Sequence, residues 1–139
     1  MIALPIGQQL ADAAQALVGS RFRLHGRNPV TGLDCVGVLS VALIAIGRAA
    51  PLPDAYRLRS RAVPDLPRIA RDCGMVAIND ALQAGDVLVA RIGPCQFHVL
   101  IAADDGRVVH AHAGLGRVII SPMSHEWQIA GHWRLISTN

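Results

Sequence analysis

The sequence predicts an α+β fold, with helices first and an antiparallel sheet after them. Apolar residues recur at helical spacing early in the chain, and one segment, residues 35–46, is apolar all round. The second half instead holds short β-rich runs separated by Gly, Pro and Asp. A chain of 139 residues suits one domain, and we expect a single domain over residues 1–139.

The elements of the first half follow from spacing and from turn residues. Residues 7–18 place apolar side chains at helical spacing, and Gly19 is a natural C-cap. Residues 20–34 contain Gly26, Gly32 and an Asn-Pro pair, which predicts a loop. Residues 49–64 contain three prolines and predict an irregular crossing loop, and a short helix is expected over about 65–72.

The segment 35–46 predicts a buried helix that packs on the sheet. Asp34 stands at its N-cap position, so Cys35 lies in the first turn. The strands of that sheet are expected at Val87–Ile92, Phe97–Ala102, Arg107–His112 and Arg117–Ile120, with a closing strand at Trp133–Ile136.

Composition limits the classes of function. The 52% hydrophobic and 17% charged residues exclude intrinsic disorder and suggest an extra covered surface. All 13 basic residues are arginine, and the Arg-rich segment 57–71 predicts a solvated or partner-facing surface. With few aromatic residues and no basic-aromatic pattern, we expect no nucleic-acid partner.

The cysteines and the N-terminal residues indicate the compartment in which the protein is made. The three cysteines are an odd number without Cys-x-x-Cys spacing, so no disulfide framework is predicted, and Cys73 and Cys95 are expected to be inert. The first residues lack a signal-peptide pattern, and the apolar run 35–47 is too short to span a bilayer. We expect synthesis in the cytoplasm and, if the protein leaves, export without a leader.

Cys35 is the residue that points most directly to chemistry. In the first turn of a helix, the dipole and free N–H groups favour the thiolate and stabilise an oxyanion. Such a nucleophile needs an imidazole partner, and that imidazole needs an orienting group. The other interpretation of Cys35 is a buried structural cysteine in an apolar helix.

Three histidines lie on the two strands that follow, and the hairpin loop between them decides whether they share a face. His110 and His112 share a face because they are two residues apart. A two-residue loop would turn His110 away from His98. A three-residue loop over 104–106, with Gly106 left-handed, would put all three on one face, and the Asp-Asp-Gly sequence suits that loop. That register leaves His110 and His112 as alternative third members.

Two further interpretations concern these histidines and the loop before Cys35. The same three histidines are the ligands of some catalytic zinc sites, although the sequence has no His-Glu-x-x-His motif. His25 lies in the loop before Cys35 and is expected either to line a substrate cleft or to be exposed. His125 and His132 are given no role.

Five segments in the same order resemble the motifs of one family: Phe22-Arg23-Leu24-His25-Gly26, Gly32-Leu33-Asp34-Cys35-Val36-Gly37, Leu82-Gln83-Ala84-Gly85-Asp86-Val87-Leu88, Phe97-His98-Val99 and Val109-His110-Ala111. The sequence resembles the NlpC family of papain-like cysteine peptidases, which cut cell-wall peptides, over about residues 8–136. This resemblance implies a papain-like fold. It also implies Cys35 as nucleophile, His98 as base and His110, rather than His112, as orienter.

The sequence is most similar to the branch found in the tails of phages and gene-transfer agents. The shared features are His25 before Gly26, Val36 after the cysteine, residues 53–56 (Pro-Asp-Ala-Tyr) and the ending 129–134. Two positions depart from the wider family. Phe22 stands where a tyrosine is usual, and Val36 where a serine is usual.

The resemblance implies a phage-tail peptidoglycan hydrolase that acts without a cofactor or metal. Its substrate would be the stem peptide, cut at γ-D-glutamyl–diamino acid bonds, and its partners would be tail-tip or hub proteins. It would be carried in the virion tail and act in the host periplasm or cell wall. The alternatives are a structural tail component of the same fold with little activity, motivated by Phe22, and a non-phage amidase, toxin or effector.

Overall fold

A computed structural model describes residues 4–52, 65–93 and 96–137. Within these ranges the three helices precede six of the eight strands, as predicted. The elements are α1 (Ile6–Gln15), β1 (Arg27–Asn28), β2 (Gly32–Leu33), α2 (Cys35–Ala45), α3 (Leu66–Asp72), β3 (Met75–Ala77), β4 (Val87–Gly93), β5 (Gln96–Ala102), β6 (Val108–His112), β7 (Arg117–Ser121) and β8 (Gln128–Leu135). No helix in these ranges is long and apolar enough to cross a membrane.

The main sheet has six antiparallel strands in the order β3-β8-β4-β5-β6-β7. One face carries residues such as Val89, Ile101 and Val109, which pack with the helices in the main core. On the other face, a second cluster forms around Leu100 and is covered in part by Trp127. The predicted α+β class, with a buried helix on an antiparallel sheet, is confirmed.

The first two helices differ from prediction at their C-terminal ends. Helix α1 ends at Gln15, before the predicted residue 18. The chain continues as a turn to Gly19, whose N–H donates to the Val118 carbonyl at 2.9 Å, so Gly19 joins the chain to β7 instead of capping the helix. Helix α2 begins at Cys35 as predicted but ends at Ala45, one residue before the predicted end. Ile44 is 60% exposed, so the prediction of burial all round is wrong at that end.

Several short strands were not predicted from the sequence. The predicted loop 20–34 contains the two-residue strands β1 and β2, which pair with each other. Strand β3 pairs with β8, which begins at Gln128 and not at the predicted Trp133. Runs of two or three residues show no reliable periodicity, and their pairing is decided by distant parts of the chain.

The helix expected over about 65–72 is confirmed as α3, with Asp65 as its N-cap. Arg68 and Arg71 of that helix are exposed. Residues 53–64 lie outside the described residues. They include most of the predicted crossing loop, the Pro-Asp-Ala-Tyr segment and the other three arginines of the Arg-rich segment. Cys95 also lies outside them.

The β5–β6 hairpin has the three-residue loop that places the histidines on one face. Ile101 pairs with Val109 and Ala102 with Val108. The Ala103 N–H donates to the Arg107 carbonyl at 2.7 Å, and Gly106 has a φ of 79°. Only glycine adopts such a left-handed φ at no steric cost. This register gives the side chains at 98, 110 and 112 the same face of the sheet.

A buried carboxylate, Asp86, ties the start of β4 to β8. It is fully buried and accepts hydrogen bonds from Arg134 Nε at 2.7 Å and from His132 Nε2 at 2.6 Å. Burial of Asp86 opposes its ionisation, but the bonds from Arg134, the Gln83 N–H and His132 outweigh burial and lower its pKa. His132 therefore has a structural contact here.

A second buried carboxylate, Asp34, fixes the start of α2. Its Oδ1 accepts from the Gly37 N–H at 2.8 Å, which is the predicted N-cap bond. Its Oδ2 accepts from the His25 N–H, also at 2.8 Å, and so holds the preceding loop. One fully buried side chain thus connects the loop to the helix that carries Cys35.

We expect Asp34→Ala to lower the free energy of unfolding by about 2–4 kcal/mol, because it removes an N-cap and leaves two N–H groups without an acceptor. The matched control is Asp65→Ala, which removes the exposed N-cap of α3 with its single bond of 3.2 Å to the Arg68 N–H. That change should cost about 0.5–1 kcal/mol. Urea unfolding measures both, and equal losses would contradict the assigned role of Asp34.

Candidate active site

A cavity of about 270 Å³ brings together the residues that the sequence analysis singled out. Cys35 lines it from the start of α2, His98 from β5, and His110 and His112 from β6. The other lining residues are Phe22, Ile92, Gln96, Phe97, Ala111, Ala113, Gly114 and Trp127. His25 is exposed and is not among the lining residues, so its interpretation as an exposed loop residue agrees with the structure.

The Cys35 side chain is only 1% exposed, and burial raises the pKa of its thiol to about 12. Backbone N–H groups of Val99, Val36 and Cys35 itself favour the thiolate, and the neighbouring Asp34 charge disfavours it. Burial outweighs the N–H groups. The N–H groups at the helix start therefore favour the thiolate, as expected, but they do not offset the burial of the thiol.

His98 and His110 form a direct pair. His98 Nε2 lies 2.8 Å from His110 Nδ1, and the two rings meet edge to face. Burial lowers the pKa of each histidine to about 4, and the charges of neighbouring histidines add to the effect. Both rings are therefore neutral near pH 7.

His112 has a different contact. Its Nδ1 accepts a hydrogen bond of 3.0 Å from the Leu115 N–H, in the turn that follows β6. The register alone allowed either His110 or His112 beside His98. The structure places His110 in contact with it, at the diagonal position.

Two residues that sequence reasoning missed complete this group. His110 Nε2 lies 2.8 Å from Ser121 Oγ, at the end of β7. The Trp127 ring lies edge to face against His110, at 5.4 Å between centroids, and against His98 at 6.1 Å. No local pattern marks either residue, because each reaches the site from another strand or loop.

The thiol and the imidazole approach the cavity from opposite sides of the sheet. Cys35 packs in the main core with Val99 and Ile101. His98 pairs with Ala90, which belongs to the cluster on the other face. In the described part of the chain no hydrogen bond joins Cys35 to His98, although both line the same cavity.

The arrangement does not suit a metal ion. The described residues contain no group of three His, Cys, Asp or Glu side chains placed to hold one. His98 Nε2 and His110 Nδ1 face each other as donor and acceptor and so do not converge on a common point. The three-histidine zinc interpretation gains no support from this geometry.

The remaining sequence features also have places in the structure. Phe22 lines the cavity with a ring that carries no hydroxyl, and Val36 packs against the core. Cys73 is buried at the end of α3, and burial raises its pKa, which fits the inert role predicted for it.

No protein-family model matches the sequence, and no curated protein is significantly similar to it. Solved structures do match. NlpC1 from Trichomonas vaginalis is 16% identical with a TM-score of 0.74 over 99% of this chain and 47% of its own. The NlpC/p60 domain of the peptidoglycan hydrolase SagA is 20% identical with a TM-score of 0.63 over 94% and 98%.

The chain has the NlpC/P60 fold. A third match, the peptidoglycan hydrolase RipB from Mycobacterium tuberculosis, is 19% identical with a TM-score of 0.58 over 95% of this chain and 65% of its own. The chain spans about half the length of the two Trichomonas vaginalis proteins, at 47% and 49%. The papain-like architecture implied by the sequence resemblance is thereby confirmed.

The two neutral histidines predict that acid destabilises the fold. Their pKa values of about 4 lie below the ordinary 6.5, so the unfolded chain binds more protons between these values and stability is lost as pH falls through that window. Between about pH 7 and pH 4.5 we expect the two histidines together to cost about 4–5 kcal/mol of stability in urea unfolding.

The control for this measurement is the double variant His98→Gln/His110→Gln, which should lose much less over the same interval. Asp86 does not confound the comparison, because its pKa is lowered and its contribution is lost only in stronger acid. The same pH dependence in both proteins would contradict the assignment.

The buried thiol predicts slow, steadily pH-dependent alkylation. Only the thiolate reacts, and with a pKa of about 12 its fraction grows with every pH unit from 7 to 10. Iodoacetamide labelling of the Cys35 peptide, followed by mass spectrometry, should show no plateau in that range. An added exposed thiol, Ser137→Cys, serves as the reference and should level off above about pH 9. A Cys35 plateau beginning below pH 7 would instead reveal a thiolate–imidazolium pair.

Proposed function

We propose that this chain is a cysteine peptidase that hydrolyses peptide bonds of peptidoglycan. One observation carries the proposal. On an NlpC/P60 fold, a cysteine at the start of a buried helix and a hydrogen-bonded pair of neutral histidines line one cavity. SagA and RipB, which share this fold, are peptidoglycan hydrolases. Cys35 is the proposed nucleophile, His98 the base and His110 the group that orients it.

The proposed reaction is acyl transfer through a neutral ground state. Because the thiol pKa is high and the imidazole pKa is low, the proton leaves Cys35 for His98 only as the sulfur attacks the amide carbonyl. Backbone N–H groups at the start of α2, including that of Cys35, stabilise the oxyanion. His98 then protonates the leaving amine, and water releases the acyl group from the sulfur.

This step requires Cys35 and His98 to come within hydrogen-bond reach when substrate is bound. Catalytic hydrogen bonds are often long before substrate binds and shorten in the complex. The cavity of about 270 Å³ lies between the two groups' elements and gives the substrate carbonyl a place to enter.

The finer proposal is a phage-tail enzyme that cuts γ-D-glutamyl–diamino acid bonds of stem peptides. It rests on the tail-branch features of the sequence, which include His25, Val36 and the ending 129–134. In this proposal a virion tail carries the enzyme to the host wall, where it acts during genome delivery and docks on tail-tip or hub proteins.

A second candidate is a structural tail component that keeps the fold with little activity. Two observations favour it. Phe22 brings no hydroxyl to the cavity, and the Cys35 thiol is held in its unreactive form.

Release of soluble fragments from purified Gram-negative peptidoglycan tests the proposal. We expect wild type and Cys73→Ala, which alters the other buried cysteine described, to release fragments. Cys35→Ala should lower release by at least about 10³-fold because the nucleophile is gone. Mass spectrometry of the fragments identifies the bond that is cut.

Two outcomes would contradict the enzyme. Equal release by wild type and Cys35→Ala would remove this cysteine from the mechanism. No release by any folded protein, including protein assembled on its tail, would favour the structural component.

A further inference from the structure

We propose that Ser121 is a positioning residue that sets the tautomer of His98 through His110 and so leaves the lone pair of His98 on Nδ1. The consequence for catalysis rests on the proposed function, but the tautomer itself does not. Three hydrogen bonds carry the inference: His98 Nε2 to His110 Nδ1 at 2.8 Å, His110 Nε2 to Ser121 Oγ at 2.8 Å, and Ser121 Oγ to the Pro122 carbonyl at 3.2 Å.

The sheet builds this chain of contacts. His110 pairs with Ile119 on β7, and Val108 pairs with Ser121. Opposed residues of an antiparallel pair share a face, and so do residues two apart. Ser121 is therefore the diagonal neighbour of His110 on the face that also carries His98.

The number of available hydrogens assigns a donor and an acceptor to each of these three hydrogen bonds. The Pro122 carbonyl can only accept, so its 3.2 Å contact with Ser121 Oγ is a hydrogen bond only when the single hydroxyl hydrogen of Ser121 points to it. Ser121 Oγ then accepts from His110, and His110 Nε2 carries the hydrogen. A neutral imidazole has one N–H, so His110 Nδ1 is an acceptor and His98 Nε2 must donate to it.

If every donor and acceptor in these hydrogen bonds were exchanged, His98 could not act as the base. If Ser121 donated to His110, then His110 Nδ1 would donate to His98 Nε2, and the remaining hydrogen of His98 would lie on Nδ1. His98 would then have its one lone pair occupied by His110 and none toward the thiol. This arrangement would give up the hydrogen bond from Ser121 Oγ to the Pro122 carbonyl, which is why we assign the first direction.

The burial of His110 makes its contact with Ser121 important. His110 is only 2% exposed, and the Trp127 ring packs edge to face against it. Water therefore does not readily replace Ser121 as the acceptor, and a buried N–H without an acceptor is costly. The low pKa values of both histidines agree with two neutral rings, as the counting requires.

In the proposed reaction, His98 Nδ1 is the atom that receives the proton. As the sulfur–carbon bond forms, the carbonyl π electrons move to oxygen and the thiol hydrogen moves to Nδ1. The resulting imidazolium keeps its Nε2–H bond to His110 Nδ1. When the amine leaves, the Nδ1 proton goes to it and His98 returns to the starting tautomer.

Long-range ¹H–¹⁵N spectra of histidine-labelled full-length protein report the tautomer directly. We expect wild-type His98 and His110 each to show a protonated Nε2 and a bare Nδ1, with assignments from His98→Gln and His110→Gln. Ser121→Thr keeps the hydroxyl and should give the same pattern, as should Ser137→Ala, which removes an exposed hydroxyl elsewhere. Ser121→Ala should show a mixture of tautomers.

The catalytic consequence has its own readout. Ser121→Ala should lower kcat about 10-fold with little change in KM, since His98 is then often in the wrong tautomer. Ser121→Thr should restore kcat, which a merely structural loss at this position would not predict.

Two results would overturn the inference: a protonated Nδ1 on wild-type His98, or a tautomer pattern that Ser121→Ala leaves unchanged. If Ser121→Ala does not fold, the wild-type spectrum still tests the inference, because a protonated Nδ1 on His98 would overturn it. Failure of the proposed function would look different from both results. The protein would show the expected tautomers but would release no peptidoglycan fragments.

Discussion

The buried carboxylate of Asp34 is the constraint on which the site depends. Its two oxygens hold the Gly37 N–H of the helix and the His25 N–H of the loop, so loop and helix cannot move independently. The close approach requires glycine, since a Cβ on Gly37 would stand 2.0 Å from the Gly26 carbonyl oxygen. These contacts fix the direction in which α2 begins and so the position of the Cys35 thiol.

At that position, two electrostatic effects oppose each other and burial wins. A helix N-terminus stabilises a negative charge by about 0.3–1 kcal/mol at exposed sites, and by up to about 2 kcal/mol in favourable geometry. Removing a thiolate from water costs more than this, and the thiol pKa accordingly rises to about 12. The same burial keeps the histidines neutral. The thiol and the imidazole are thus both neutral in this structure. In the proposed reaction, substrate binding must bring them close enough for a proton to move from one to the other.

The sheet divides the chemistry between its two faces. The helix side buries Cys35 with Val99 and Ile101, and the other side holds the histidines under Trp127. The helix face carries the main core and the other face a smaller cluster, so the thiol and the imidazoles are packed in different surroundings. Cys35 and the histidines both line the cavity, and this arrangement depends on the register of β5 against β6.

Much of this could be predicted from the sequence because it depends on neighbours along the chain. The apolar periodicity, the Asp34 cap and the Asp-Asp-Gly loop are local, and they determined the order of elements, the place of Cys35 and the common face of the histidines. Only the tertiary structure decided which histidine contacts His98, that Ser121 and Trp127 complete the group, and that the thiol is protonated. Diagonal contacts between strands and the burial of a charge depend on residues far apart in sequence, and no local pattern encodes them.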